Sequence, residues 1–172
     1  GSRSLEVRNT GPIRLQLTPD GMAEIHFGTQ GMRRRVGAFP ASIGNPLAMY
    51  FLETVVRDLS GLAGASPFYM RNRIKAELLR QHPVHDVTVQ FGDREVKAHS
   101  IVLYPFRDDP ASDRMRGIET LALSVTFSSE IPGWYYALKA ETTAERGERA
   151  ARANTLPPYE SSILFLGLEG AR

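Results

Sequence analysis

Three of the chain's four histidines, His82, His85 and His99, sit close together in sequence, beside Asp86. An imidazole with a carboxylate on one nitrogen is the arrangement a general base needs. The carboxylate orients the ring, and the other nitrogen accepts the proton. The flanking residues predict how these groups meet. Residues 86–91 and 94–103 alternate apolar and polar side chains around Gly92-Asp93, a two-residue turn of the hairpin type. Such a hairpin sets Val87 opposite Ala98 and Val89 opposite Val96 on one face. It sets Asp86 opposite His99 on the other, with His85 near Ser100. Asp86, His99 and His85 are therefore the candidate catalytic residues of a hydrolase or isomerase. The plainer reading is a solvated cross-strand ion pair. A metal site needs at least three ligands converging at ~2 Å. Pro83 separates His82 from His85, and His26 belongs to a different hairpin, so no metal is expected.

Two basic sets form a second constellation: Arg33, Arg34 and Arg35, and then Arg71, Arg73 and Lys75. Clustered cations beside the aromatics Phe68 and Tyr69 are what an anionic surface or a nucleic-acid strand would bind. That reading predicts that both sets share one contiguous face. Nucleic acid is disfavoured, because Asp58 and Glu77 intervene and no helix-turn-helix or RNA-recognition signature occurs. The acidic run at residues 107–114 lacks calcium-loop spacing. It reads as a solvated loop whose carboxylates are neutralised by Arg107, Arg114 and Arg116. Gly28-Thr29-Gln30-Gly31 leads into a strand, so it lacks the phosphate-cradle context. There is no G-x-S-x-G elbow, and Ser128-Ser129 and Ser161-Ser162 have no histidine at a readable offset.

Composition removes more chemistry than it suggests. The chain has 172 residues, 42% hydrophobic and 23% charged, an ordinary globular balance. It contains no cysteine, which excludes disulfides, thiolate zinc, iron–sulfur clusters and a cysteine nucleophile. The net charge is +2, although the pI is 9.1. Residues 1–80 carry 11 basic against 6 acidic groups, and residues 81–172 carry 10 against 13. This is a mild asymmetry, too weak to imply nucleic acid. The longest apolar runs, 47–52 and 163–168, fall far short of the ~20 residues of a membrane span. Gly1-Ser2 reads as a cloning scar. The compartment stays unknown, with a bacterial periplasmic or secreted setting slightly favoured over cytoplasm.

The elements that must position these residues can be read from periodicity. Alternating runs predict strands at 4–8, 13–17, 22–27 and 33–39, with Thr18-Pro19-Asp20-Gly21 as a turn. Asn45-Pro46 reads as a helix start. Leu47, Phe51, Val55, Leu59 and Leu62 then recur at helical spacing, with Tyr50, Leu52 and Val56 widening the apolar stripe over more than half the surface. Ser66-Pro67 opens a second helix that runs to about Arg80. Strands return at 86–91, 94–103, 121–128 and 134–142. Residues 143–158 read as a mobile loop or short helix. The run at 163–168 is apolar on both faces, which predicts a central strand or one covered on both sides.

The order β–αα–β predicts a single α+β domain spanning 1–172, with a curved antiparallel sheet of about seven or eight strands packed around the two-helix insertion. The helix's surplus apolar faces and the aromatic strand start Gly133-Trp134-Tyr135-Tyr136 suggest an apolar cavity. Tyr50, Phe51, Val55, Trp134 and Tyr136 are its candidate lining. The function expected is a non-enzymatic binding or interaction domain without a cofactor. It holds an apolar or amphipathic molecule there, or else docks a protein partner along an exposed strand.

Overall fold

The computed structural model describes residues 10–29, 31–42, 44–143 and 156–168. It is an α+β protein with two helices and two antiparallel sheets. The chain divides into two compact units, one up to Glu53 and one from Thr54 onward.

The first unit carries a three-stranded meander of β1 (Ile13–Leu17), β2 (Met22–Phe27) and β3 (Arg34–Pro40). The Thr18–Gly21 turn forms as read. Gly21 N–H donates to the Thr18 carbonyl at 3.0 Å, with Gly21 at φ +78° in the left-handed region that glycine tolerates. Period-two alternation then puts Ala23 and Ile25 on the buried face of β2, both fully enclosed. A bulge between Ile25 and His26 adjusts the pairing with β3.

Helix α1 (Pro46–Ala63) begins in this unit and continues into the next. Asn45 Oδ1 accepts the N–H groups of Leu47 at 2.9 Å and Ala48 at 3.3 Å, satisfying donors that the first turn leaves orphaned. Asn45→Ala should therefore cost about 1 kcal/mol. The denaturant midpoint should drop at unchanged slope, and an unaltered midpoint would contradict the cap. Of the wide apolar stripe, Phe51, Val55, Val56 and Leu59 are buried and Leu47, Tyr50, Leu52 and Leu62 half-buried. Only Glu53, Arg57 and Gly61 of the helix are exposed, one narrow row at a spacing of four.

The second unit holds the rest of α1, α2 (Pro67–Leu78), and a five-stranded meander. Its strands are β4 (His85–Phe91), β5 (Arg94–Leu103), β6 (Ala122–Phe127), β7 (Tyr135–Glu141) and β8 (Glu160–Leu164), in that spatial order. The Gly92-Asp93 turn delivers the expected register, with Val87 opposite Ala98, Val89 opposite Val96 and Asp86 opposite His99. Strand β5 buries Val96 and Ala98 near its start but Leu103 at its end. Even- and odd-numbered residues point to opposite faces, so this one strand supplies core on both sides of the sheet. The sheet curls strongly enough for distant strands to touch. Tyr136 of β7 donates its hydroxyl to the Gln90 carbonyl of β4 at 2.9 Å, and the rings of Phe91 and Phe165 stack with centroids 5.6 Å apart. Among the described residues β4 and β8 do not pair, so the sheet stays open.

Two fold expectations need correction. The strands form sheets of three and five rather than one sheet of seven or eight. Strands consecutive in sequence pair within each sheet, whereas the whole helical insertion lies between β3 and β4, and among the described residues no ladder joins those two strands. The run at 163–168 is not a central strand: β8 begins earlier, at Glu160, and lies at the sheet edge. Its outward leucines are exposed rather than covered, a distinction that periodicity cannot make. The expected strand at 4–8 and residues 144–155 of the expected loop lie outside the described residues.

Candidate functional site

The β4–β5 hairpin brings Asp86 and His99 together. His99 Nδ1 lies 2.9 Å from Asp86 Oδ1. A carboxylate only accepts, so Nδ1 donates in this contact, and in the neutral ring Nε2 is the acceptor. The Phe127 ring, across the ladder on β6, tilts against the imidazole at 5.7 Å. The imidazole is thus oriented as a base requires, but the pair lies in water. The Asp86 side chain is 92% exposed and that of His99 50%. Exposed pairs are weak and fully hydrated, so nothing here desolvates or confines a reacting group. His85 is opposite Ser100 and points to the other face. His82 is elsewhere again: its Nε2 donates to the Glu77 carbonyl at 2.8 Å, which also accepts the Arg80 N–H at 3.0 Å at the end of α2.

The basic sets fall in different units, and at least three members are already engaged. Arg35 donates to Glu24 at 2.9 Å, and Glu24, which also meets His26 Nε2 at 3.1 Å, is held below the usual carboxylate range chiefly by Arg35. Arg34 lies over the Phe27 ring at 5.9 Å. Arg73 Nε lies 2.8 Å from Asp109 Oδ2, off the line a hydrogen bond needs, so the contact is an ion pair. Arg33, Arg71 and Lys75 occupy exposed positions.

The candidate cavity residues divide between buried and exposed positions. Phe51, in the first unit, and Val55, in the second, are buried, and Tyr50 is half-buried. Tyr136 spends its hydroxyl on Gln90. Trp134 does the opposite of lining a core: it is 64% exposed. Its backbone sits at φ +71°, a left-handed conformation that costs a bulky L-residue roughly 1–2 kcal/mol. The turn that holds it is built on buried Ser128. Ser128 Oγ donates to the Lys97 carbonyl at 2.6 Å, and Ser128 N–H donates to the Trp134 carbonyl at 2.8 Å. Ser128 is thus a structural hydroxyl.

Sequence reasoning misses the one charged residue that is buried among the described residues. Asp109 lies in the acidic run read as solvated, yet its carboxylate is wholly enclosed. Tyr69 of α2 donates its hydroxyl to it at 2.7 Å, and Ala111 N–H donates to Oδ1 at 2.8 Å. The signal was Asp109-Pro110-Ala111, an Asx-turn signature, together with the apolar spacing of Phe106, Met115, Ile118 and Leu121. All four are buried.

Two phenols are held neutral. Burial, then the Asp58 carboxylate that its hydroxyl meets at 3.3 Å, pushes Tyr159 well above the ordinary tyrosine value of 10.0. The hydrogen bond to Asp109, then burial, raises Tyr69. In the unfolded chain both protons leave near pH 10.0. The stability these phenols lend is therefore complete below that pH and is lost as the pH rises past it. Tyr159→Phe should flatten that alkaline decline. A native profile level for a full unit beyond it would show the sign to be wrong.

The last feature is the open edge. Beyond β8, Phe165 continues the ladder by donating to the Tyr136 carbonyl at 2.8 Å. Leu164, Leu166 and Leu168 stand exposed along this edge, Leu166 by 80%. Comparison with known proteins finds no matching family model, no matching curated protein and no matching solved structure.

Proposed function

We propose that this chain is a non-enzymatic interaction domain that docks a protein partner along the edge of β8. The observation that carries the reading is the row of exposed leucines, Leu164 at the end of β8 and Leu166 and Leu168 just beyond it, on a strand that among the described residues is paired on one side only. Unpaired strand edges offer a ready hydrogen-bonding template, and natural sheets guard them. A partner strand laid on such an edge gains main-chain hydrogen bonds and burial of alternate side chains. Exposed Trp134 and Tyr135, at the start of β7, extend the apolar surface near the same end of the sheet. A bulky residue held in a left-handed conformation at a solvent-facing turn points to function rather than to packing. An acid–base enzyme using Asp86 and His99 fits less well, because both side chains stand in open water.

A photo-crosslinking amino acid at position 166 tests this in the cells that make the protein. A discrete crosslinked protein band is expected there and not from position 88, which is exposed on β4. Equal labelling from both positions, or none from 166, would dismiss the reading.

A further inference from the structure

We infer that the outward ridge of α2 rests on an anionic lipid bilayer, an interaction independent of the β8 edge. Helix α2 spans 12 residues and buries two of them, Met70 and Ile74. Arg73 and Glu77, on the same side of the helix, are half-buried. At about 3.6 residues per turn, the direction opposite this stripe is held by Phe68, Lys75 and Leu79, with Asn72 alongside. Leu79 is the C-cap residue and keeps a helical backbone, at φ −85° and ψ −6°. Arg71 and Leu78 flank the ridge. All six residues are exposed, Phe68 by 68% and Leu79 by 81%.

The charges on this ridge have one sign. Arg71 and Lys75 are cations. The single acid of the helix, Glu77, is half-buried and paired with Arg80 at 3.2 Å. Asp109 also touches the helix, but at Tyr69 and Arg73, which lie about a quarter turn or more from the ridge. Cations held near an anionic leaflet are attracted to it. Spacing selects a bilayer over other anions. Phe68 and Leu79 stand about 16 Å apart along the axis, at ~1.5 Å per residue, with an amide and an ammonium between them. A protein groove takes up a helix through a continuous apolar row at i, i+3, i+4 and i+7, which this ridge lacks. A nucleic-acid strand stacks its bases on aromatic rings, and Leu78 and Leu79 offer none. A bilayer is apolar at every lateral position. Two separate anchors enter it together, while Lys75 extends its stem to the phosphates. At 12 residues the helix is too short to cross, so it lies on the surface.

Flotation tests this with the full chain and vesicles of phosphatidylcholine and phosphatidylglycerol in equal parts, or of phosphatidylcholine alone. The chain should float with the anionic vesicles and not with the neutral ones, and added salt should release it. Lys75→Glu should lower the partition coefficient by roughly tenfold or more, and Leu79→Ser by roughly fivefold or more. Both positions are exposed, so the urea midpoint should stay put and lost binding cannot be lost folding. Lys97→Glu makes the same charge change at an exposed position of β5 and should leave flotation intact. An equal loss from Lys97→Glu would assign binding to overall charge and overturn the inference. Flotation with neither vesicle, or equally with both, would overturn it too. So would sensitivity to Lys75→Glu without sensitivity to Leu79→Ser, because a purely charged contact suits any polyanion. Retention on immobilised polyglutamate or on a single-stranded oligonucleotide, without flotation, would give the face to an acidic protein or to nucleic acid instead.

Discussion

Replacing Asp109 with alanine should lower the stability of the second unit by about 2–3 kcal/mol, the cost of losing hydrogen bonds to a charged, buried acceptor, since Arg73 keeps a third of its side chain in water. The carboxylate is fully enclosed. It accepts from the Tyr69 hydroxyl and the Ala111 N–H and sits against Arg73. Its removal strands a guanidinium and a phenol in a site shaped to satisfy them. It also undoes the Asx turn that starts the 3₁₀ segment Ser112–Arg114. Asp109→Asn retains the acceptor for Ala111 and should lose less. Tyr69→Phe should cost about 1.5–3 kcal/mol, the range for a hydrogen bond to a charged group. Asp108, one residue away and exposed, is the control, and its alanine variant should leave the urea midpoint unchanged. Equal losses at 108 and 109 would mean that the carboxylate's burial is not the cause.

Phe106→Ala should cost about 3–5 kcal/mol through lost burial and the cavity left behind. Phe106 is wholly buried although it lies between strands, in the connection from β5 to β6. With Met115, Ile118 and Leu121 it turns that connection into core. Its backbone also serves, since the Phe106 carbonyl accepts Asp109 N–H at 3.2 Å, so the two sites should be energetically coupled. A double-mutant cycle between Phe106→Ala and Asp109→Ala should therefore depart from additivity by more than ~0.5 kcal/mol. Phe68, an aromatic exposed on α2, should tolerate alanine with little change. A loss at Phe68 matching that at Phe106 would sink the argument.

Much of the fold was legible in the sequence because it rests on local chemistry. Asn45-Pro46 and Ser66-Pro67 start helices through caps and preset φ. Gly92-Asp93 sets the hairpin register, and with it the meeting of Asp86 and His99, because a two-residue turn leaves no freedom of pairing. Alternation located most of the remaining strands, since a half-buried strand must repeat every two residues. The exposure of that Asp86–His99 pair was not legible, because alternation says which side chains share a face and not what covers the face.

What tertiary structure alone decided depends on residues far apart in sequence. Asp109 differs from Asp108 only because Tyr69 and Arg73, on α2, come to meet it. Arg73, counted by sequence among cations offered to a ligand, is thereby engaged inside the protein. The apolar run at 163–168 reads the same whether a strand lies between two others or at a margin. Its place beside β7 alone exposes those leucines. By itself the sequence determined the order β–αα–β, the turns and the hairpin register. Long-range packing determined which charges are buried and which edge is left open, because burial and strand neighbours depend on what the rest of the chain brings alongside.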